Sequence, residues 1–130
     1  LRDCSRFARP VPLVKGSLSD NMFGEEIDDE IYQMLDFSSL RTESFDGNAE
    51  SVSLGERQKV GLLRALSRKQ GALVLDEPLQ NLDDATAQRL SDNLVSLKGK
   101  RTVIVIMHSD ELDQKADVLL DIQDGKLFVR

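Results

Sequence analysis

A chain of 130 residues, 40% hydrophobic and 31% charged, has the balance of a globular polypeptide, long enough for one compact domain or part of a larger one. A net charge of −6 argues against a general nucleic-acid surface, which needs a basic face to displace counterions. The single cysteine, Cys4, excludes an internal disulfide and suits a reducing compartment; no stretch reaches membrane-spanning length, and no leader resembles a signal peptide.

Residues 1–16 read as irregular, because Pro10 and Pro12 block helix and ladder alike. From Ser17 the pattern turns helical, with Ile27, Ile31, Met34 and Leu35 on one apolar face and the acidic "EEIDDE" turned to solvent. Residues 37–51 are polar, contain "DGN" and read as a loop. A second helix follows, with Ser53 as its N-cap and Val60, Leu63 and Leu66 recurring every third position. "ALVL" at 72–75 is a continuous apolar run, expected of a strand covered on both faces. A helix over 84–97 carries Ala87, Leu90, Leu94 and Leu97 on one stripe, and "TVIVIM" at 102–107 reads as a second buried strand. "ADVLLDI" and "KLFVR", separated by "QDG", predict a closing hairpin. Strand, helix, strand at this spacing is the rhythm of a parallel α/β sheet.

In such a sheet, ligands gather beyond the carboxyl ends of the strands. "LVLDEP" ends its strand in two adjacent carboxylates, Asp76 and Glu77, which repel each other unless a cation or a proton-transfer task keeps them. A strand ending in a polar turn would carry the same letters. His108, the only histidine, follows the other buried strand at the corresponding end, where an imidazole can donate to a terminal phosphate. Within "SVSLGERQKVGLLRAL", residues 51–66, a serine and a glycine open a helix whose amides and dipole favour an anion, although an ordinary capped helix looks the same.

Taken in order, these segments resemble the later half of an ABC-type ATPase nucleotide-binding domain, exporter-like in character. "VSLGERQKVGLLRAL" is similar to the family signature, usually LSGGQ followed by RQR; "ALVLDEP" resembles its Walker B strand with the catalytic glutamate. "QNLDD" resembles the D-loop, His108 the switch histidine, and "PLVKGSLSDNM" the segment after the Q-loop; the likeness runs from about Pro12 to Gly125. It implies a P-loop NTPase-like parallel sheet portion with an α-helical signature subdomain, the latter within residues 1–70 and the ATPase core portion within 71–130. It also implies ATP and Mg²⁺ as cofactors, with Asp76 holding the metal through water, Glu77 as general base and His108 on the γ-phosphate. Ser53, Leu54, Gly55 and Glu56 would meet ATP held by a second nucleotide-binding domain, and Leu82 and Asp83 would report nucleotide state across that dimer. The implied partners are that second domain and a transmembrane domain, at the cytoplasmic face of a membrane, with no nucleic acid and no direct insertion.

This chain departs from the family pattern in three ways. It has no G-x-x-x-x-G-K-[ST], Leu54 and Glu56 stand where glycine and glutamine are usual, and Arg9 aligns with the Q-loop glutamine. "FDGNAES", before the signature, shows no exporter-style coupling motif. Truncation upstream of Leu1 is the simplest account of the missing phosphate loop. A piece so truncated is expected neither to bind ATP tightly nor to hydrolyse it, and its bare sheet edges favour self-association. Two alternatives are the C-terminal lobe of a DNA-repair or chromosome-organising ATPase, which would carry long heptads before the signature, and a degenerate, non-catalytic member of the family.

Overall fold

The runs expected as strands are parallel neighbours in the structure, a computed structural model that describes residues 4–37 and 52–130. In chain order the strands are β1 (Cys4–Phe7), β2 (Ala72–Asp76), β3 (Val103–Ile106), β4 (Leu120–Gln123) and β5 (Lys126–Val129). β1, β2 and β3 form one parallel sheet in that order, with Phe7 opposite Leu75 and Asp76 opposite Ile106. The expected hairpin is present as β4 and β5, an antiparallel pair turning at Asp124 and Gly125. The loop expected over 37–51 lies outside the described residues beyond Phe37.

β1 corrects the irregular reading of residues 1–16. Four residues are too few to show alternation, and the inward Ser5 disguises what there is. Its buried hydroxyl donates to the carbonyl of Ala65 at 2.5 Å, so a polar side chain serves as a core contact. The helix expected from Ser17 is also shorter than read. A 3₁₀ turn occupies Asp20–Met22, and α1 runs only over Asp29–Leu35. Two side chains explain the division. Buried Asn21 accepts from the Val14 amide at 2.8 Å and donates to the carbonyls of Val14 and Ser17, satisfying loop backbone without a helix. Asp28 then starts α1 by accepting from the Ile31 amide at 3.0 Å.

The core is built around α2 (Leu54–Ser67), which buries Val60, Leu62, Leu63, Ala65 and Leu66 and is therefore apolar over more than one stripe. Gly61 lets β1 and the following segment lie against it. A Cβ there would stand 2.8 Å from Val11 Cγ2 and 2.9 Å from Phe7 Cε2. α3 (Asp84–Ser96) adds Leu90 and Leu94 and is tied to α1 by Arg89, whose Nε donates to the carbonyl of Met34. Arg101, in the turn before β3, donates to the carbonyls of Arg68, Gly71 and Gln70 and so clamps the start of β3 to the loop entering β2.

Neither predicted strand is covered on both faces. β2 buries Leu73 and Leu75 fully but leaves Ala72, Val74 and Asp76 half-buried. β3 lies at the edge of the described sheet, with Ile104 50% and Ile106 45% exposed. Among the described residues, no helix is long and apolar enough to cross a membrane.

Candidate functional site

The parallel register brings the carboxyl ends of β1, β2 and β3 to one edge, and the chemistry-bearing residues follow directly from those ends. Asp76 is the last residue of β2 and is half-buried. Glu77 continues the ladder by one bond, its amide donating to the Ile106 carbonyl at 2.8 Å, and then turns the chain with φ of 52°. A glutamate in that left-handed region costs on the order of 1–3 kcal/mol, which the surrounding packing must overcome. The result is a side chain drawn inward: Glu77 is 13% exposed against 89% for His108, whose Nε2 lies 3.5 Å from Glu77 Oε1. The approach forms no hydrogen bond, and Oε1 is buried without a partner among the described residues. An acceptor in that position is set to receive a donor from whatever occupies the edge.

At the start of α2 the expected cap is present in its fuller form. Ser53 Oγ accepts from the Glu56 amide at 3.1 Å, and Glu56 Oε2 accepts from the Ser53 amide at 3.4 Å, a capping box. This accounts for glutamate at position 56, because its carboxylate closes the box. The Ser53 hydroxyl proton remains available to donate outward. Leu54 projects beside it, 67% exposed.

Two contacts that sequence reasoning missed join this helix to the turn after Glu77. Buried Gln58 donates through Nε2 to the Pro78 carbonyl at 2.9 Å, while its Oε1 has no partner among the described residues. The signal was there to find: Gln58 shares a stripe with Leu62, Ala65 and Leu66 at helical spacing, and an amide on an apolar stripe is a buried amide. The second contact is backbone against backbone. A Cβ on Gly55 would stand 2.6 Å from the carbonyl oxygen of Asn81, itself left-handed with φ of 65°.

Leu82 is half-buried against the core, and Asp83 caps α3. Asp83 Oδ1 accepts from the Thr86 hydroxyl at 2.7 Å and Oδ2 from the Thr86 amide at 3.0 Å. The hydroxyl first and the amide second hold its carboxyl below the usual carboxylate range. Lys59 Nζ lies 3.9 Å away and donates to the Asp36 carbonyl. Because the folded-state pKa is depressed, the cap's contribution is fully present above roughly pH 4 and is lost as pH falls through the lowered value. Asp83→Ala is therefore expected to lower stability at neutral pH by about 1 kcal/mol. In urea melts against the parent, that gap should close on acidification; a constant gap down to roughly pH 2 would reject the cap's ionic character.

Among the described residues no three His, Cys, Asp or Glu side chains gather as a metal cluster, so any cation here would rest on few protein ligands. The residue pattern has counterparts among known proteins. Residues 13–80 match the family model described as ABC transporter. The chain is 32% identical to ABC transporter I family member 17 of Arabidopsis thaliana, over 93% of this chain and 49% of that protein. It is 29% identical to the lipoprotein-releasing system ATP-binding protein LolD of Legionella pneumophila, over 82% of this chain and 47% of that one. Against the ATP-dependent lipid A-core flippase of Vibrio vulnificus, identity is 34% over 78% of this chain and 18% of the flippase. The chain thus spans about half the length of the first two relatives and less of the third.

Proposed function

The chain belongs to the ABC transporter family, as part of an ATP-binding domain, and on that premise we propose that it hydrolyses ATP to drive transport, of the export type, as half of a dimer of nucleotide-binding domains. Its relatives' names, the ATP-binding protein of a lipoprotein-releasing system and an ATP-dependent lipid A-core flippase, support ATP as the nucleotide. The observation that carries the reading is the buried, unpartnered Oε1 of Glu77 at the end of β2, with His108 Nε2 3.5 Å away.

Each residue has a task that its surroundings permit. Glu77 accepts the proton of the attacking water or fixes that water's orientation, since a carboxylate oxygen without a partner is an open acceptor. His108, exposed and beside it, donates to the γ-phosphate. Asp76 suits Mg²⁺: it is a hard oxygen donor, half-buried, and that ion keeps several waters and takes only one or two carboxylates. The ion supplies charge neutralisation on the phosphates when bound.

Ser53 donates its free hydroxyl proton to ATP held by the second subunit, Gly55 follows it with its Cβ position taken by the Asn81 carbonyl, and the exposed Leu54 adds apolar contact there. Glu56 contributes through the capping box. Leu82 and Asp83 hold the loop that faces the other subunit, with Asp83 doing so as the cap of α3. Residues 1–70 form the segment after the Q-loop and the signature subdomain, and 71–130 the core portion. A transmembrane domain completes the transporter, so the chain works at the cytoplasmic face of a membrane.

Removing the imidazole is the first test. His108→Ala in the full-length protein is expected to lower ATP turnover about tenfold, the loss of one hydrogen bond to a charged group. Phosphate release measured at saturating Mg-ATP reads it. Unchanged turnover would remove His108 from the reaction.

A further inference from the structure

The turn that carries Glu77 is weakly held from within. Glu77 and Asn81 both take left-handed backbone, with φ of 52° and 65°. Two backbone bonds inside the turn are long, from the Gln80 amide to the Glu77 carbonyl at 3.4 Å and from the Leu82 amide to the Leu79 carbonyl at 3.3 Å, against a usual length of about 2.9 Å. Pro78 has no N–H to add. Its carbonyl, on a buried residue, accepts instead from Gln58 Nε2 at 2.9 Å, a shorter bond than either of those. The donor comes from a rigid element, since Gln58 is 1% exposed and the neighbouring Val60, Leu62 and Leu63 seat α2 in the core. The residue next to Glu77 is thus fastened to α2 by one side chain.

Gln58 is an awkward choice for stability alone. Its Oε1 is buried with no partner among the described residues, a desolvation cost that an apolar side chain of the same length would not carry. The benefit falls on the turn. We propose that Gln58 is a positioning residue for hydrolysis, acting through Glu77: by holding the Pro78 carbonyl it fixes where Glu77 Oε1 meets the attacking water. The inference rests on the ATP-hydrolysing reading above and adds to it the residue that aims the base. Gln58 acts through the turn and needs no contact with nucleotide, so its effect belongs to kcat, while half-saturating ATP stays where it is.

Gln58→Met in the full-length protein keeps the length of the side chain and removes the donor. It is expected to lower kcat about tenfold, less than the roughly hundredfold effect of a 1 Å misplacement, because the Gly55 contact with Asn81 still restrains the turn. Half-saturating ATP should stay within twofold. In a Glu77→Gln background the same substitution should change the residual turnover less than twofold, since both act through one carboxylate. Gln58→Glu gives a second reading. An ionised carboxylate cannot donate to the Pro78 carbonyl and a protonated one can, so its kcat relative to the parent should rise severalfold as pH falls from about 8 to about 6. Thermal melts establish the folded fraction of each variant. A folded Gln58→Met enzyme with kcat within twofold of the parent overturns the assignment, as does an equal loss in both backgrounds, the mark of a structural role. Should Gln58→Met not fold, a Gln58→Glu ratio that is flat across pH overturns it. Glu77→Gln with turnover within threefold of the parent overturns the hydrolytic reading itself, and the assignment with it.

Discussion

Glu77→Gln is expected to reduce steady-state ATP turnover of the full-length protein by between about 10²- and 10⁴-fold, with nucleotide binding retained. The substitution keeps the length and shape of the side chain. The backbone bond from residue 77 to the Ile106 carbonyl is untouched, so the fold has no reason to open. What changes is chemistry at one atom. The buried Oε1 is a proton acceptor with no partner of its own, and an amide in its place has no useful basicity. The neighbouring imidazole cannot stand in, because it lies exposed on the outer side of the same contact. Phosphate release and equilibrium binding of Mg-ATP, measured side by side, distinguish this from a loss of affinity. Turnover within threefold of the parent would exclude Glu77 as the base.

Gly55→Ala comes second, with an expected fall in turnover of about a hundredfold, the scale at which a 1 Å misplacement acts. The new Cβ would meet the Asn81 carbonyl oxygen at 2.6 Å, so the obstacle is backbone rather than a side chain that could rotate away. Either the start of α2 or the turn through Asn81 has to move. Movement of the turn disturbs Glu77 through the residues between them, which are held by the Gln58 bond to Pro78. Gly61→Ala is the instructive contrast. Its Cβ would meet side-chain atoms of Val11 and Phe7 rather than the backbone of this turn. Overpacking there should lower stability by roughly 1–3 kcal/mol while sparing turnover. A Gly55 variant that melts like the parent and turns over ATP at the parental rate would show that the approach is not needed.

The order of elements was legible because periodicity survives in long segments. α2, α3, β2, β3 and the closing hairpin lie where their apolar patterns suggested, and Ser53 was readable as a cap from its place before an apolar stripe. β1 was hidden by its shortness and by Ser5, whose buried hydroxyl reads as surface. The early helix was overread because apolar residues in 13–27 serve a loop ordered by Asn21, a non-local satisfaction that no window of spacing reveals. Burial of β3 was overestimated for a related reason: β-branched residues announce a strand but not what covers it. At the edge of the sheet, residue types pointed to carboxylates and an imidazole together, and of these the fold sets Glu77 Oε1 and His108 Nε2 3.5 Å apart. The tie of Arg9 to Gln80 and the seating of Gly55 on Asn81 are invisible in one dimension, since each joins segments that only the fold makes neighbours.

The outward isoleucines of β3 have a calorimetric consequence. Ile104 and Ile106 remain half-wetted when the chain folds, so they add less to the heat capacity of unfolding than enclosed side chains do. Any polypeptide that lies over them in the native state alone raises the transition temperature by mass action, in proportion to the logarithm of its concentration once it is in excess. The melting point of this polypeptide is then a property of the mixture it is measured in.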